Sequence, residues 1–125
     1  RTNIDVYAQK HNWTIFQSGG TVAFMALELA IYFKAKNIYM VGIDLAYPSG
    51  TSHAVDTMDY RIKNTEHLPV TDGVNGKKVY TDRVFLTYKE QIENRIKREK
   101  NISFYNMSGI GAHIEGTIEN MQDLY

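Results

Sequence analysis

Cysteine is absent from the sequence. Disulfides, thiolate metal centres and cysteine nucleophiles are therefore excluded, and the composition fits a reducing, cytoplasmic setting. An excess of charge is also missing, because fourteen basic and fourteen acidic side chains cancel. That balance leaves no electrostatic footprint for nucleic acid or an acidic membrane. No signal-peptide pattern is legible. The longest nearly charge-free run, Trp13 to Leu27, is broken by Gln17 and by Ser18-Gly19-Gly20, so it is not a membrane span. Repeats and low-complexity tracts are lacking too.

What is present is an ordinary globular composition. Hydrophobic residues make up 43% and charged residues 22% of 125, which argues against disorder and for one domain with one core over residues 1–125. The chain opens mid-pattern on Arg1, which reads as a piece of a longer protein.

The order of elements reads as α/β. Residues 1–12 read as the end of a helix. Trp13-Thr14-Ile15-Phe16 is short, aromatic and β-branched, as a strand is. After Ser18-Gly19-Gly20, apolar residues recur at spacings of three and four from Val22 to Phe33, a helical period. That helix is apolar nearly all round, which predicts heavy burial. Ile38 to Ile43 is a continuous apolar run, expected of a parallel strand covered on both faces. Strand, glycine turn, helix and strand make a βαβ unit with a right-handed crossover.

Residues 44–82 hold both prolines and the turn-rich strings "PSG" and "TDGVNG", so they read as a long loop region with a short helix inside 54–64. Thr81-Asp82 offers an N-cap for a helix over 83–100, with Val84, Phe85, Tyr88, Ile92 and Ile96 as its core stripe. On it, Glu93 and Lys97 stand four apart in the favourable order. Ile102 to Asn106 reads as a third strand, "SGIGA" as a turn, and "GTIENMQDL" as a terminal helix.

Two stretches carry candidate chemistry. In "QSGGTVAF" a strand meets a helix through two glycines. There, backbone N–H groups and the helix N-terminus favour an anion, and Ser18 or Thr21 can donate to phosphate or sugar. Ser18 or Thr21 acting only as a helix cap is the competing reading. In "VGIDLAYPSGTSHA" Asp44 falls at the carboxyl end of a strand, where ligands of open parallel sheets bind. Asp44 can accept from sugar hydroxyls, and Tyr47 and His53 can donate to a phosphate. Alternatively, Asp44 caps a turn and His53 lies on the surface. Lys77 or Lys78 suits a phosphate or a solvated hairpin equally. His11 and His67 read as surface residues, and no histidine or carboxylate spacing assigns a metal.

Taken together, "SGGTVAFMALELA", "AKNIYMVGIDLAYPSGTSHA", "NGKKVYTDRVFLTYKEQIE" and "YNMSGIGAHIEGT" resemble, in order and spacing, the central domain of the motility accessory factor family of flagellin glycosyltransferase-like proteins. The likeness spans about residues 13–118. Bacterial CMP-sialic-acid-dependent sialyltransferases and the archaeal 6-hydroxymethylpterin diphosphokinase share parts of the pattern. Two landmarks differ. A histidine that precedes the "TD" pair in the sialyltransferases has no counterpart in Gly76-Lys77-Lys78. Gly109 and Ile110 stand where the family has a glutamate and a glycine.

The resemblance implies a Rossmann-like three-layer domain with a mostly parallel sheet, the C-terminal half of a larger domain. It implies a CMP-linked nonulosonic acid donor and a protein or glycan hydroxyl as acceptor. Ser18, Gly19, Gly20 and Thr21 would contact the donor. Asp44 would lie near the nucleotide sugar, with Tyr47 or His53 by its phosphate; by its own place in the loop, His53 is the one histidine set to act as base. Thr81 and Asp82 would close the site. No metal ligand is assigned on that reading. The diphosphokinase alternative adds ATP and magnesium, with Asp44 and Asp82 as ligands. A non-enzymatic nucleotide- or carbohydrate-binding module is the third reading, and a homo-oligomer is compatible with all three.

Overall fold

The structure, a computed structural model, describes residues 3–12, 21–47 and 68–119. Trp13–Phe16, Ser18, Gly19, Gly20, His53, His67 and the helix expected within 54–64 lie outside the described residues.

Helix α1 (Asn3–Lys10) is short, and Ala8 is buried. Helix α2 (Val22–Tyr32) starts at Thr21, whose extended backbone and hydroxyl cap it by accepting the Phe24 N–H at 3.0 Å. Strand β1 (Asn37–Met40) follows. Strands β2 (Val70–Asp72) and β3 (Lys78–Tyr80) form an antiparallel hairpin inside the stretch that reads as loop. Its turn closes through the Gly73 N–H on the Lys77 carbonyl, and Gly76 takes the left-handed conformation, φ +76°, that glycine tolerates. Helix α3 (Arg83–Lys97) is capped by Asp82, which accepts the Phe85 N–H at 2.8 Å. Strand β4 (Ser103–Asn106) then pairs with β1 in parallel, Ile38 opposite Phe104 and Met40 opposite Asn106.

The parallel pair positions everything else. Alternation sends Ile38, Met40 and Phe104 to one face. There they join Phe24 and Leu27 of α2, Ile92 and Ile96 of α3, and Ile114 in one buried cluster. Each such side chain contributes about 1.5–3 kcal/mol on burial. The other face carries Tyr39 and Tyr105, stacked with centroids 4.5 Å apart.

Several expectations are corrected. Helix α2 is not buried all round: Phe24, Leu27 and Glu28 are buried, with Ala30 and Ile31 partly so against the core. Val22 is 87% and Phe33 71% exposed. Strand β1 is likewise covered on one face only, with Tyr39 and Val41 exposed. In α3, Val84 is exposed, and Glu93 pairs with Lys89 at 2.9 Å rather than with Lys97. Residues 116–119 are not helical. Gly116 adopts φ +88°, and Ile118 then runs parallel to β4, bridging Tyr105. The Ile118 N–H bonds the Phe104 carbonyl at 2.8 Å, and the Asn106 N–H bonds the Ile118 carbonyl at 3.0 Å. The β-branched pair Thr117-Ile118 suits that extended rung better than a helix. Among the described residues, no helix is long and apolar enough to cross a membrane.

Candidate functional site

Strands β1 and β4 are parallel, so their carboxyl ends point the same way and their following loops meet. The β1 loop supplies Asp44 to Tyr47, and the β4 loop supplies Met107 to Ala112. The two are joined by backbone bonds: the Met107 N–H to the Met40 carbonyl at 2.8 Å, and the Ala112 N–H to the Asp44 carbonyl at 2.7 Å. Leu45 holds a left-handed backbone, φ 52°, in this loop. A β-branched or bulky side chain adopts that conformation rarely, so the surroundings hold it there.

Asp44 lies where the sequence places it, beyond the end of a parallel strand. Its carboxylate accepts the Ser108 hydroxyl at 2.7 Å. Ser108 Oγ in turn accepts the Gly111 N–H at 2.9 Å, which fixes the hydroxyl and turns the β4 loop. The Ser108 N–H reaches Asn106 Oδ1 at 3.1 Å. Asn106 is fully buried, and its amide donates to the Ala112 carbonyl at 3.4 Å and to Glu119 Oε2 at 3.3 Å. The other oxygen of Glu119 meets His113 Nδ1. One chain of hydrogen bonds therefore links Asp44, Ser108, Asn106, Glu119 and His113.

A second group adjoins it. The Tyr47 hydroxyl donates to Asp82 Oδ2 at 2.6 Å, while Asp82 Oδ1 caps α3. The Tyr47 N–H bonds the Tyr80 carbonyl at 2.7 Å, tying the β1 loop to the hairpin. Thr81, fully buried, donates its hydroxyl to the Leu45 carbonyl at 2.9 Å. Asp44, Tyr47, Thr81 and Asp82 are thus gathered at one edge. Thr21 uses its hydroxyl oxygen to accept the Phe24 N–H in the α2 cap. Lys78 pairs with Asp72 at 2.5 Å, both side chains being largely exposed. The hydrogen bond and charge of Lys78 hold the Asp72 carboxyl below its ordinary value. His11 is exposed and packs on Tyr7. Among the described residues, no cluster of three metal-ligating side chains occurs.

Ser108, Asn106, Glu119 and His113 are not singled out by the sequence reading. The signal for Ser108 was present. "SGIGA" follows a strand, as "SGG" is expected to, and the loop after the second of two parallel strands lands beside the first. His113 carried a weaker signal, because its partner stands six residues on and only the turn at Gly116 brings Glu119 back to it. Burial works against a charge on His113, but the hydrogen bonds and charges of Glu119 and then Glu115 outweigh it and raise its pKa above the ordinary histidine value.

Removing the Asp82 carboxylate strips both a helix cap and the Tyr47 partner. Asp82→Ala is expected to cost about 1–2 kcal/mol in urea unfolding. Asp82→Asn, which keeps an acceptor for the Phe85 N–H, is expected to cost less than half of that.

Comparison of the chain with known protein families, with curated proteins and with solved structures finds no match.

Proposed function

We propose that this chain is a Rossmann-like, three-layer, glycosyltransferase-type domain, half of a larger domain. It binds a CMP-linked nonulosonic acid and transfers the sugar to a protein or glycan hydroxyl. The observation that supports the reading is Asp44, held by Ser108 at the carboxyl edge of a parallel strand pair beside Tyr47 and Asp82. That edge is where open parallel sheets take nucleotides. One Asp44 oxygen is oriented by Ser108, which leaves the carboxylate aligned to accept from a ribose or sugar hydroxyl. Tyr47, three residues on, donates its hydroxyl to Asp82 Oδ2, and would have to release that bond to donate to a phosphate oxygen as charge develops on the leaving nucleotide.

The geometry favours this over pyrophosphate transfer from ATP. That alternative asks Asp82 to hold a divalent cation, which would have to share the two Asp82 oxygens with the Phe85 N–H and the Tyr47 hydroxyl. A non-enzymatic binding module differs from the main reading only in lacking turnover.

Thermal unfolding with ligands separates the three. Saturating CMP or CMP-sialic acid, at about a hundredfold over Kd, is expected to stabilise the protein by about 2.7 kcal/mol, a rise of several degrees in Tm. Asp44→Asn is expected to abolish that rise while leaving the unliganded Tm within a degree or two. A rise with ATP and magnesium alone would overturn the reading. Binding of CMP-sialic acid with no release of CMP, with or without hydroxyl acceptors, would leave only the binding module.

A further inference from the structure

The network that ends on His113 also fastens a piece of chain. Residues 117–119 lie along β4 as an added parallel rung, held by the Ile118 N–H on Phe104 and the Asn106 N–H on Ile118. One side-chain pin holds the end of that rung. Glu119, largely buried, bonds His113 with one oxygen and the Asn106 amide with the other. The same Asn106 accepts the Ser108 N–H, and Ser108 orients Asp44. We propose that the His113–Glu119 pair is a pH-sensitive latch, closed when His113 is protonated, which fastens the 117–119 rung to β4 and through Asn106 and Ser108 steadies the Asp44 site.

The geometry isolates His113 as the titrating group of this latch. Glu119 and Glu115 face it from its own segment, Glu115 Oε2 standing 3.3 Å from Nε2 on the exposed side. From β2, Asp72 receives the His113 N–H on its carbonyl at 2.7 Å, and its carboxylate is paired with Lys78 on β3. From α3, Glu93 accepts the Glu115 N–H at 2.7 Å and pairs with Lys89. Of the side chains in this cluster, the imidazole is the type whose ordinary range lies near neutral pH. The neutral imidazole keeps at most a hydrogen bond to Glu119. The imidazolium adds a charge-assisted bond and full attraction to two carboxylates.

The sign follows from the raised pKa. Below about pH 6.5, free-histidine behaviour, the ring is protonated whether the latch is open or closed, and its stabilisation is fully present. As pH rises through the higher pKa of the closed state, that stabilisation is lost. Alkaline conditions open the rung and acidic ones close it.

Amide hydrogen exchange on the full chain, followed by NMR and corrected for intrinsic base catalysis, tests this. Protection of Ile118 and Asn106 is expected to fall as pH rises through the His113 pKa, by about tenfold for each unit that pKa lies above 6.5. The Met107 N–H, bonded to β1 rather than to the rung, serves as the reference and keeps its protection. In Glu119→Gln the His113 pKa, read from its ring proton shifts, is expected to drop towards the free value and the step to disappear. His113→Gln is expected to give flat protection across the same range. A flat profile in the wild type, or a step that survives in both variants, would overturn the latch. So would a wild-type His113 pKa at or below 6.5.

Discussion

Arg95→Met is expected to lose about 3–5 kcal/mol of stability, a large part of what a domain of this size has. The Arg95 side chain is 12% exposed, with Nε 2.5 Å from Glu28 of α2 and Nη1 2.7 Å from Glu99 just beyond α3. Burial opposes its charge, but Glu99 and Glu28 outweigh that and hold its pKa above the ordinary arginine value. Without Arg95, the Glu28 side chain, 10% exposed, has no cation beside it among the described residues, in the seam where α2 meets α3. The cost is that of an uncompensated buried charge, not of a lost attraction. The double variant Glu28→Leu, Arg95→Met removes both charges and is expected to recover most of the loss. Glu99, more exposed, turns to water. Urea unfolding of the two variants decides the matter. Equal losses would show that Arg95 acts by packing its aliphatic stem rather than by neutralising Glu28.

Gly111→Ala has the second large effect, and it strikes the site directly. A Cβ at Gly111 would stand 2.5 Å from the Asp44 carbonyl oxygen, 2.6 Å from the Asp44 Cα and 2.7 Å from Ser108 Oγ. Two of these are backbone atoms, which cannot swing aside as a side-chain tip can. The β1 and β4 loops must separate, breaking the Ala112 N–H bond to Asp44 and moving the Ser108 hydroxyl. A loss of about 1–3 kcal/mol is expected from the overlap, with any nucleotide-induced stabilisation abolished. Gly109→Ala, two residues earlier, meets nothing within 4 Å and is expected to be nearly silent in both measurements. Similar behaviour of the two variants would mean that the close approach of these loops does not set the position of Asp44.

How far the sequence reveals this arrangement depends on the range of the forces involved. Short-range chemistry is legible. Thr21 and Asp82 are read as caps and act as caps, and the 3.6-residue period over 22–32 and 83–97 marks both helices. The apolar run at Ile38 and the "ISFYN" string become the two parallel strands. The position of Asp44 follows from strand polarity alone. What the sequence conceals is which apolar residues are covered. Met25 and Leu29 look as buried as Phe24 and Leu27, and only the sheet and α3 distinguish them. The Glu28–Arg95 pair is hidden by a separation of 67 residues. The relay from Asp44 to His113 is hidden for the same reason at its first step, 64 residues from Ser108. Its last step is hidden because Glu119 sits in a segment whose composition reads as helix. The hairpin of β2 and β3 lay behind turn chemistry that signals a bend without naming the strands on either side.

The proposed function stands or falls on whether a nucleotide binds at the carboxyl ends of β1 and β4. The most direct measurement is a titration of the isotope-labelled protein with CMP, following backbone amide shifts. The account predicts that the largest shifts fall on Asp44 to Tyr47, Thr81 to Asp82 and Ser108 to Ala112, and that Asp44→Asn removes them. Saturating CMP that leaves those three loops unmoved, or that perturbs α1 and the far ends of the strands instead, would contradict it.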